Sequence, residues 1–267
     1  MSLYSKQDKL NKLILKYNSC LIAFSGGVDS AFLLKVASDL LPRNSLLAVT
    51  ANSPTYPKEE LVYARKVARL LEVRHRIIRT EEDKDRRFRA NPAERCYYCK
   101  LELFGKLKKI AAVHKLKYVL DASNASDKFD FRPGSRAKEE LGICSPLAKA
   151  GFTKEDIRRA SRALGLPTAD KPSLACLASR IPYGTEITPS ILAQINKGEV
   201  FLREQGFKQV RLRHYNGLCR IEVGKDEIPR LLAKRSLLVD KLKKLGYNYV
   251  TVDLQGYRTG SLNEVIK

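Results

Sequence analysis

The stretch Leu21-Ile-Ala-Phe-Ser25-Gly26-Gly27-Val28-Asp29-Ser30 constrains this chain more than any other. Leu21 to Phe24 is an apolar run of strand length, and Ala31-Phe-Leu-Leu-Lys-Val-Ala37 reads as a helix. A strand, a tight glycine turn and a helix start, in that order, build an anion site. Glycine lets the backbone approach a ligand, and the unpaired N–H groups and positive dipole end of the helix face it. Ser25 and Ser30 are expected to add hydroxyl donors. The Gly-Lys-Ser/Thr ending of a Walker loop is absent. An ordinary glycine turn before a helix is the plainer alternative. The full Ser-Gly-Gly-Val-Asp-Ser string behind a first strand favours a nucleotide loop.

Strand and helix patterns alternate through the first two-thirds of the chain. Strands are expected at 20–24, 46–50, 73–78 and 118–121, with a fifth candidate at 142–145. Helices are expected at 6–17, 30–41, 57–71, 100–114 and 153–164, the last opened by the capping box Thr153-Lys-Glu-Asp156. This order predicts an α/β fold, a parallel sheet with helices on both faces, whose ligands bind beyond the carboxyl ends of the strands. A segment carrying prolines and glycines, from Leu166 to Gly184, reads as an ordered functional loop or a domain junction. Beyond it come a helix at 189–205, a hairpin around Tyr215-Asn-Gly217, a helix at 226–245 and a last strand at 249–254. That is a small α+β domain, and the boundary is drawn at 1–185 and 186–267.

Four further groups carry chemistry. Thr50 lies where the second strand ends, in Val49-Thr50-Ala51-Asn52-Ser53, an edge of backbone groups and small side chains such as any strand can have. The fourth strand runs into Asp121-Ala-Ser-Asn124-Ala-Ser-Asp127 and then Asp130-Phe-Arg132-Pro-Gly134. Asn124 and Asp127 are candidates for ribose or Mg²⁺, and Arg132 for phosphate; an Asx-rich turn formed for local reasons is the alternative. Cys96-Tyr-Tyr-Cys99 brings two thiols three residues apart, and Cys176 supplies a third. With three histidines in the chain and no second Cys-x-x-Cys, a closed zinc knuckle is hard to assemble. Three thiolates can bind three irons of a [4Fe-4S] cluster and leave the fourth open, or they are three unrelated cysteines. Cys20 and Cys219 fall within strands and read as core; Cys144 stays undecided. Near the C-terminal hairpin, Arg211 and Arg213 alternate onto one strand face, as a phosphate clamp or a solvated face. Glu199, Glu222 and Asp226 are acidic candidates for a metal or a general base, with surface charge the alternative for each.

The 267 residues are 44% hydrophobic, enough for a core, and no apolar segment reaches the roughly 18 residues of a membrane span. The first ten residues are polar, so a cytoplasmic protein is expected. Fifty Lys and Arg against 29 Asp and Glu give a net charge of +21, which attracts polyanions. RNA and phosphorylated small molecules both satisfy that charge.

The glycine string resembles the pyrophosphate loop (PP-loop) of ATP pyrophosphatases, which cleave ATP between its α and β phosphates. With Asn124-Ala-Ser-Asp127, Asp130-Phe-Arg-Pro-Gly134, Ser145-Pro-Leu147, Cys176-Leu-Ala-Ser-Arg-Ile-Pro-Tyr-Gly184 and Asp253-Leu-Gln-Gly-Tyr-Arg258, nearly the whole chain resembles the LarE family. Those enzymes are ATP-dependent sulfur transferases that make the nickel-pincer nucleotide cofactor. The resemblance implies ATP and Mg²⁺ as cofactors, with Ser25, Gly26, Gly27, Asp29, Ser30, Thr50, Asn124 and Asp127 at ATP. It implies Asp29 and Cys176 as catalytic residues, and Arg132, Arg180, Arg211, Arg213, Glu199 and Glu222 around substrate and phosphate. The expected partner is a small-molecule nucleotide, without specific nucleic acid or membrane, in a homo-oligomer. Family members either surrender the sulfur of a single cysteine at the Cys176 position or hold a [4Fe-4S] cluster on three cysteines. Cys96, Cys99 and Cys176 place this chain with the cluster type. A tRNA-thiolating PP-loop enzyme is the alternative.

Overall fold

The computed structural model describes residues 2–129, 133–172, 175–258 and 260–265. In chain order the elements are α1 (Leu3–Tyr17), β1 (Cys20–Ala23), α2 (Val28–Leu40), β2 (Leu46–Asn52), α3 (Lys58–Leu70), β3 (His75–Arg79), α4 (Arg86–Arg89), α5 (Arg95–Val113), β4 (Tyr118–Leu120), α6 (Gly134–Glu140), α7 (Pro146–Ala150), α8 (Lys154–Ala163), α9 (Pro189–Glu204), β5 (Val210–Tyr215), β6 (Leu218–Val223), α10 (Ile228–Ala233), α11 (Arg235–Lys244) and β7 (Tyr249–Val252). They divide into two compact units. Met1–Glu82 with Cys96–Leu174 forms the first, and Asp83–Arg95 with Ala175–Lys267 the second.

The first unit is a four-stranded parallel sheet in the order β3-β2-β1-β4. Side chains alternate across it with period two. Cys20, Ile22, Leu46 and Ala48 join the core cluster that includes α1, α2, α3 and α8. Leu21, Leu47 and Val49 face Phe104, Leu107 and Ala111 of α5. Helices therefore cover both faces, which is why the strands are nearly continuous apolar runs. The chain leaves β1 toward β2 on one side and returns to β4 on the other. The carboxyl ends of β1 and β4 thus flank a topological switch point, where such sheets open a crevice.

The expected fifth strand at 142–145 reduces to a single bridge, Leu120 to Cys144. Gly142, at φ +65, turns the chain immediately before it, leaving too little extended backbone for a ladder. The helix expected from residue 100 begins at Arg95, so Cys96 and Cys99 lie within its first two turns.

The second unit is a three-stranded sheet, β5-β6-β7, with β5 and β6 antiparallel and β6 and β7 parallel. Asn216 and Gly217, at φ 40 and 93, make the hairpin turn, where positive φ matches the twist of the strands. Phe201, Leu202, Leu212, Ile221, Leu238 and Leu242 build its core. The single helix expected at 226–245 breaks at Lys234 into α10 and α11.

Candidate functional site

In the first unit the glycine loop is braced from within. Gly26 adopts φ +72, and a Cβ there would stand 3.0 Å from the Ala64 backbone of α3. Only glycine combines that conformation with so close a neighbour. Ser30 is buried and donates its hydroxyl proton to the Gly27 carbonyl at 3.1 Å. Its oxygen accepts from the Ser25 amide at 3.3 Å. A hydroxyl has one proton, so in the 3.1 Å contact between the two serine hydroxyls Ser25 is the donor. Ser30 therefore corrects the expectation of an outward donor: it holds the turn. Gly27 caps α2 without a side chain, leaving the first amides of that helix for a ligand.

Thr50 departs from expectation in the same way. It is buried beneath the loop, and its hydroxyl donates to the Phe24 carbonyl at 2.6 Å. Its 2.8 Å contact with His75 must then be a bond donated by His75 Nε2. Burial, with the charge of Arg65 second, holds His75 below its usual pKa, in keeping with this neutral form. Thr50 fixes the base of the loop, and its hydroxyl proton is already given to the Phe24 carbonyl.

The loops after β1 and β4 meet at the switch point. Asn124 is buried; its side-chain oxygen accepts from the Ser126 amide at 3.0 Å, closing an Asx turn. The Asp127 carboxylate accepts from the Asn124 amide at 3.0 Å. The turn aims Asn124 Nδ2 at Asp29 Oδ1, 3.4 Å away. The turn that the local Asx reading expects is present, with Asp29 beside it. Asp29 also accepts from Lys154 Nζ. Arg132 and Asp130 lie outside the described residues.

Several residues here escaped the sequence reading. Lys154 follows the Thr153 capping box, whose two reciprocal bonds fix its position, yet nothing local links it to Asp29. Lys171 Nζ reaches Glu60 Oε2 at 2.6 Å and the Gly26 carbonyl at 3.4 Å, and lies 3.7 Å from the Tyr63 ring centroid. Glu82 is 1% exposed and accepts from Ser53, while its Oε2 has no partner among the described residues. In sequence it sits in the polar run Glu81-Glu82-Asp83 and looks like surface.

The cysteines differ sharply. Burial pushes the Cys20 and Cys219 thiols up to about 12, so both stay protonated core groups. Cys96 is exposed and Cys99 half-buried, three apart on one helical face in the first unit. Cys176, half-buried, belongs to the second unit. None of the six forms a disulfide. Among the described residues no three His, Cys, Asp or Glu side chains cluster as a metal site would require.

In the second unit, Cys176 caps a short 3₁₀ turn, Leu177–Arg180. Arg180 is 1% exposed and forks onto Glu199 with bonds of 2.7 and 2.9 Å. Its third nitrogen, Nη1, donates to the carbonyls of Ala175 at 2.8 Å and Cys176 at 3.1 Å. Arg213 repeats the device: it forks onto Glu222 at 2.8 and 3.0 Å and donates to the Ser179 carbonyl at 2.6 Å. Burial pushes the Glu199 carboxyl up, but the Arg180 charge and its bonds outweigh that and leave it below the usual range. The expected phosphate clamp and the expected acidic base are therefore corrected for these four residues. They form two buried ion pairs that grip the Cys176 turn. Both faces of β5 are covered, so alternation did not leave a solvated side. Arg211 stacks over the Tyr257 ring at 5.0 Å, its charge disfavoured by burial first and by Arg180 second.

A strand-loop-helix phosphate cradle at the switch point of a parallel sheet, with a cysteine held at a separate built turn, defines an ATP-dependent sulfur-transferring enzyme of the PP-loop class. Comparison with known proteins agrees. Residues 18–90 match the asparagine synthase family model. Over 245 residues, 92% of this chain and 89% of the relative, the sequence is 36% identical to pyridinium-3,5-bisthiocarboxylic acid mononucleotide synthase of Lactiplantibacillus plantarum (strain ATCC BAA-793 / NCIMB 8826 / WCFS1). It is 41% identical over 266 residues, 99% of each chain, to an uncharacterized protein of Synechocystis sp. (strain ATCC 27184 / PCC 6803 / Kazusa). The chain belongs to the LarE family. Among the described residues no helix is long and apolar enough to cross a membrane.

Proposed function

We propose that this enzyme adenylates a carboxylate of pyridinium-3,5-biscarboxylate mononucleotide with ATP, releasing pyrophosphate, and then exchanges AMP for sulfur to give a thiocarboxylate for a nickel-pincer nucleotide cofactor. The observation that carries the reading is the Cys176 turn, gripped by two buried Arg–Glu forks in a chain that shares the LarE sequence over nearly its full length.

The first amides of α2 receive the negative charge that grows on pyrophosphate as it leaves. Asp29 and Asp127 bring carboxylate oxygens to either side of Asn124, donors that a hard cation prefers. Magnesium bound there would neutralise phosphate charge. Lys154, already against Asp29, adds a positive charge beside the same phosphates. The substrate phosphate is assigned to Arg211. Its guanidinium is buried over the Tyr257 ring, and burial first and the Arg180 charge second disfavour its charge despite the opposing Glu199, a setting that an anion would favour. Arg180 holds the carbonyls of Ala175 and Cys176 and Arg213 that of Ser179 at the end of the turn, which fixes where the Cys176 thiol emerges.

For the sulfur we assign Cys96, Cys99 and Cys176 as three thiolates that suit three irons of a [4Fe-4S] cluster. Such a cluster would supply an exchangeable sulfide at its open iron. Anaerobic purification with iron and sulfide analysis tests this. About four irons per chain are expected, with Cys96→Ala, Cys99→Ala and Cys176→Ala each losing iron while pyrophosphate release persists. Iron-free protein that still transfers sulfur and ends with dehydroalanine at position 176 would overturn the cluster and leave the reaction standing. Loss of pyrophosphate release with every pyridinium substrate overturns the reaction itself.

A further inference from the structure

The first unit carries a second basic recess, beside edge strand β3 and behind the residues that support the glycine loop. It is an open groove of about 770 Å³ between the second half of α3 and the face of edge strand β3. Arg65 and Arg69 reach it from α3, one helical turn apart, and Arg43 from the turn before β2. His75 and Ile77 line it from β3. Among the described residues none of the three guanidinium groups makes a hydrogen bond or ion pair. Glu72 also lines the groove but pairs with none of them. Elsewhere in this chain acidic residues commonly take up an arginine: Arg180, Arg213, Arg220 and Arg258 are all paired. Three converging forks facing one carboxylate leave a local charge excess.

Arginine forks match the oxygen geometry of phosphate, and two at a spacing of four residues can hold successive groups of a chain. The hydrogen-bond order at Thr50 adds a further group. His75 Nε2 donates to Thr50, so in the neutral ring Nδ1 carries no proton. That nitrogen can take a proton up when an anion binds beside it. The wall of the groove formed by Ile77 is apolar, which weakens competition from water for the charged contacts.

We propose that this groove is a second anion site, separate from the ATP loop, that binds a phosphate chain through Arg43, Arg65 and Arg69. Its ligand is either inorganic polyphosphate or the phosphate tail of a nucleotide.

Isothermal titration with tripolyphosphate and with ATP tests the assignment, using the whole protein and the Gly27→Val variant, whose loop is blocked. One tripolyphosphate per chain is expected to bind Gly27→Val. Adding Arg65→Gln and Arg69→Gln should weaken that binding by about tenfold or more per arginine, as for charge-assisted contacts. Both arginines are exposed, so circular dichroism should remain unchanged. ATP binding to Gly27→Val as tight as tripolyphosphate identifies a nucleotide ligand; tripolyphosphate binding alone identifies the inorganic chain. Absence of any binding to Gly27→Val, or binding indifferent to the two arginine substitutions, overturns the proposal.

Discussion

Glu199 offers the sharpest separation of stability from chemistry. Its carboxylate takes two bonds from Arg180 at 2.7 and 2.9 Å and one from the Leu212 amide at 3.1 Å, and the Arg180 and Glu199 side chains are each 1% exposed. Glu199→Ala removes the counter-charge and leaves a guanidinium buried and unpaired. Removing one partner of such a pair costs about 3–5 kcal/mol. Replacing both partners with apolar side chains of similar volume, Arg180→Met with Glu199→Leu, removes the stranded charge as well. That double variant is expected to recover most of the loss, because buried ion pairs are often near neutral against apolar packing. It still lacks the Arg180 bonds to the Ala175 and Cys176 carbonyls. Sulfur transfer should therefore stay lost while pyrophosphate release, which belongs to the glycine loop, continues. Urea unfolding followed by circular dichroism measures the first effect, since the chain has no tryptophan. A Glu199→Ala loss below about 1 kcal/mol refutes the stranded-charge argument. Recovery of sulfur transfer in the double variant refutes the positioning role of Arg180.

Two further outcomes follow from the first unit. Gly26→Ala should cost more than Gly151→Ala, although both sites have positive φ (72 and 81), because a Cβ at 26 meets Ala64 at 3.0 Å and one at 151 meets nothing within 4 Å. Each pays about 1–2 kcal/mol of backbone strain; only Gly26→Ala should also suppress pyrophosphate release, and equal losses of stability and activity in both would contradict the packing argument. Asp156 feels burial that raises its pKa, but bonds from Lys6 and Thr153 outweigh it and bring it from 3.8 to about 2. A depressed acid adds stability above its unfolded value that is lost as pH falls through the folded one. Acid unfolding should thus steepen between about pH 4 and 2, and Asp156→Asn should be less stable at pH 7 yet lose nothing more in that window.

Local spacing determined a good deal of this protein. Apolar runs and a glycine turn marked β1, the loop and α2, and the Thr153 to Asp156 box marked the start of α8. Those features arise from neighbours within a few residues, where period and capping are written directly in the chain. The family string around Cys176 likewise lies in one continuous segment. Tertiary structure decided the roles of the charged and hydroxyl groups. Alternation put Arg211 and Arg213 on one face, but only the register of β5 against β6 set Arg213 onto Glu222. Spacing gave Ser30 and Thr50 to a ligand, and burial gave their protons to the Gly27 and Phe24 carbonyls instead. Asp29 and Lys154, 125 residues apart, meet because β1 and β4 are neighbours at the switch point. A charge or hydroxyl acts on whatever the fold brings within about 3 Å, and that partner is set by packing between distant segments rather than by spacing along the chain.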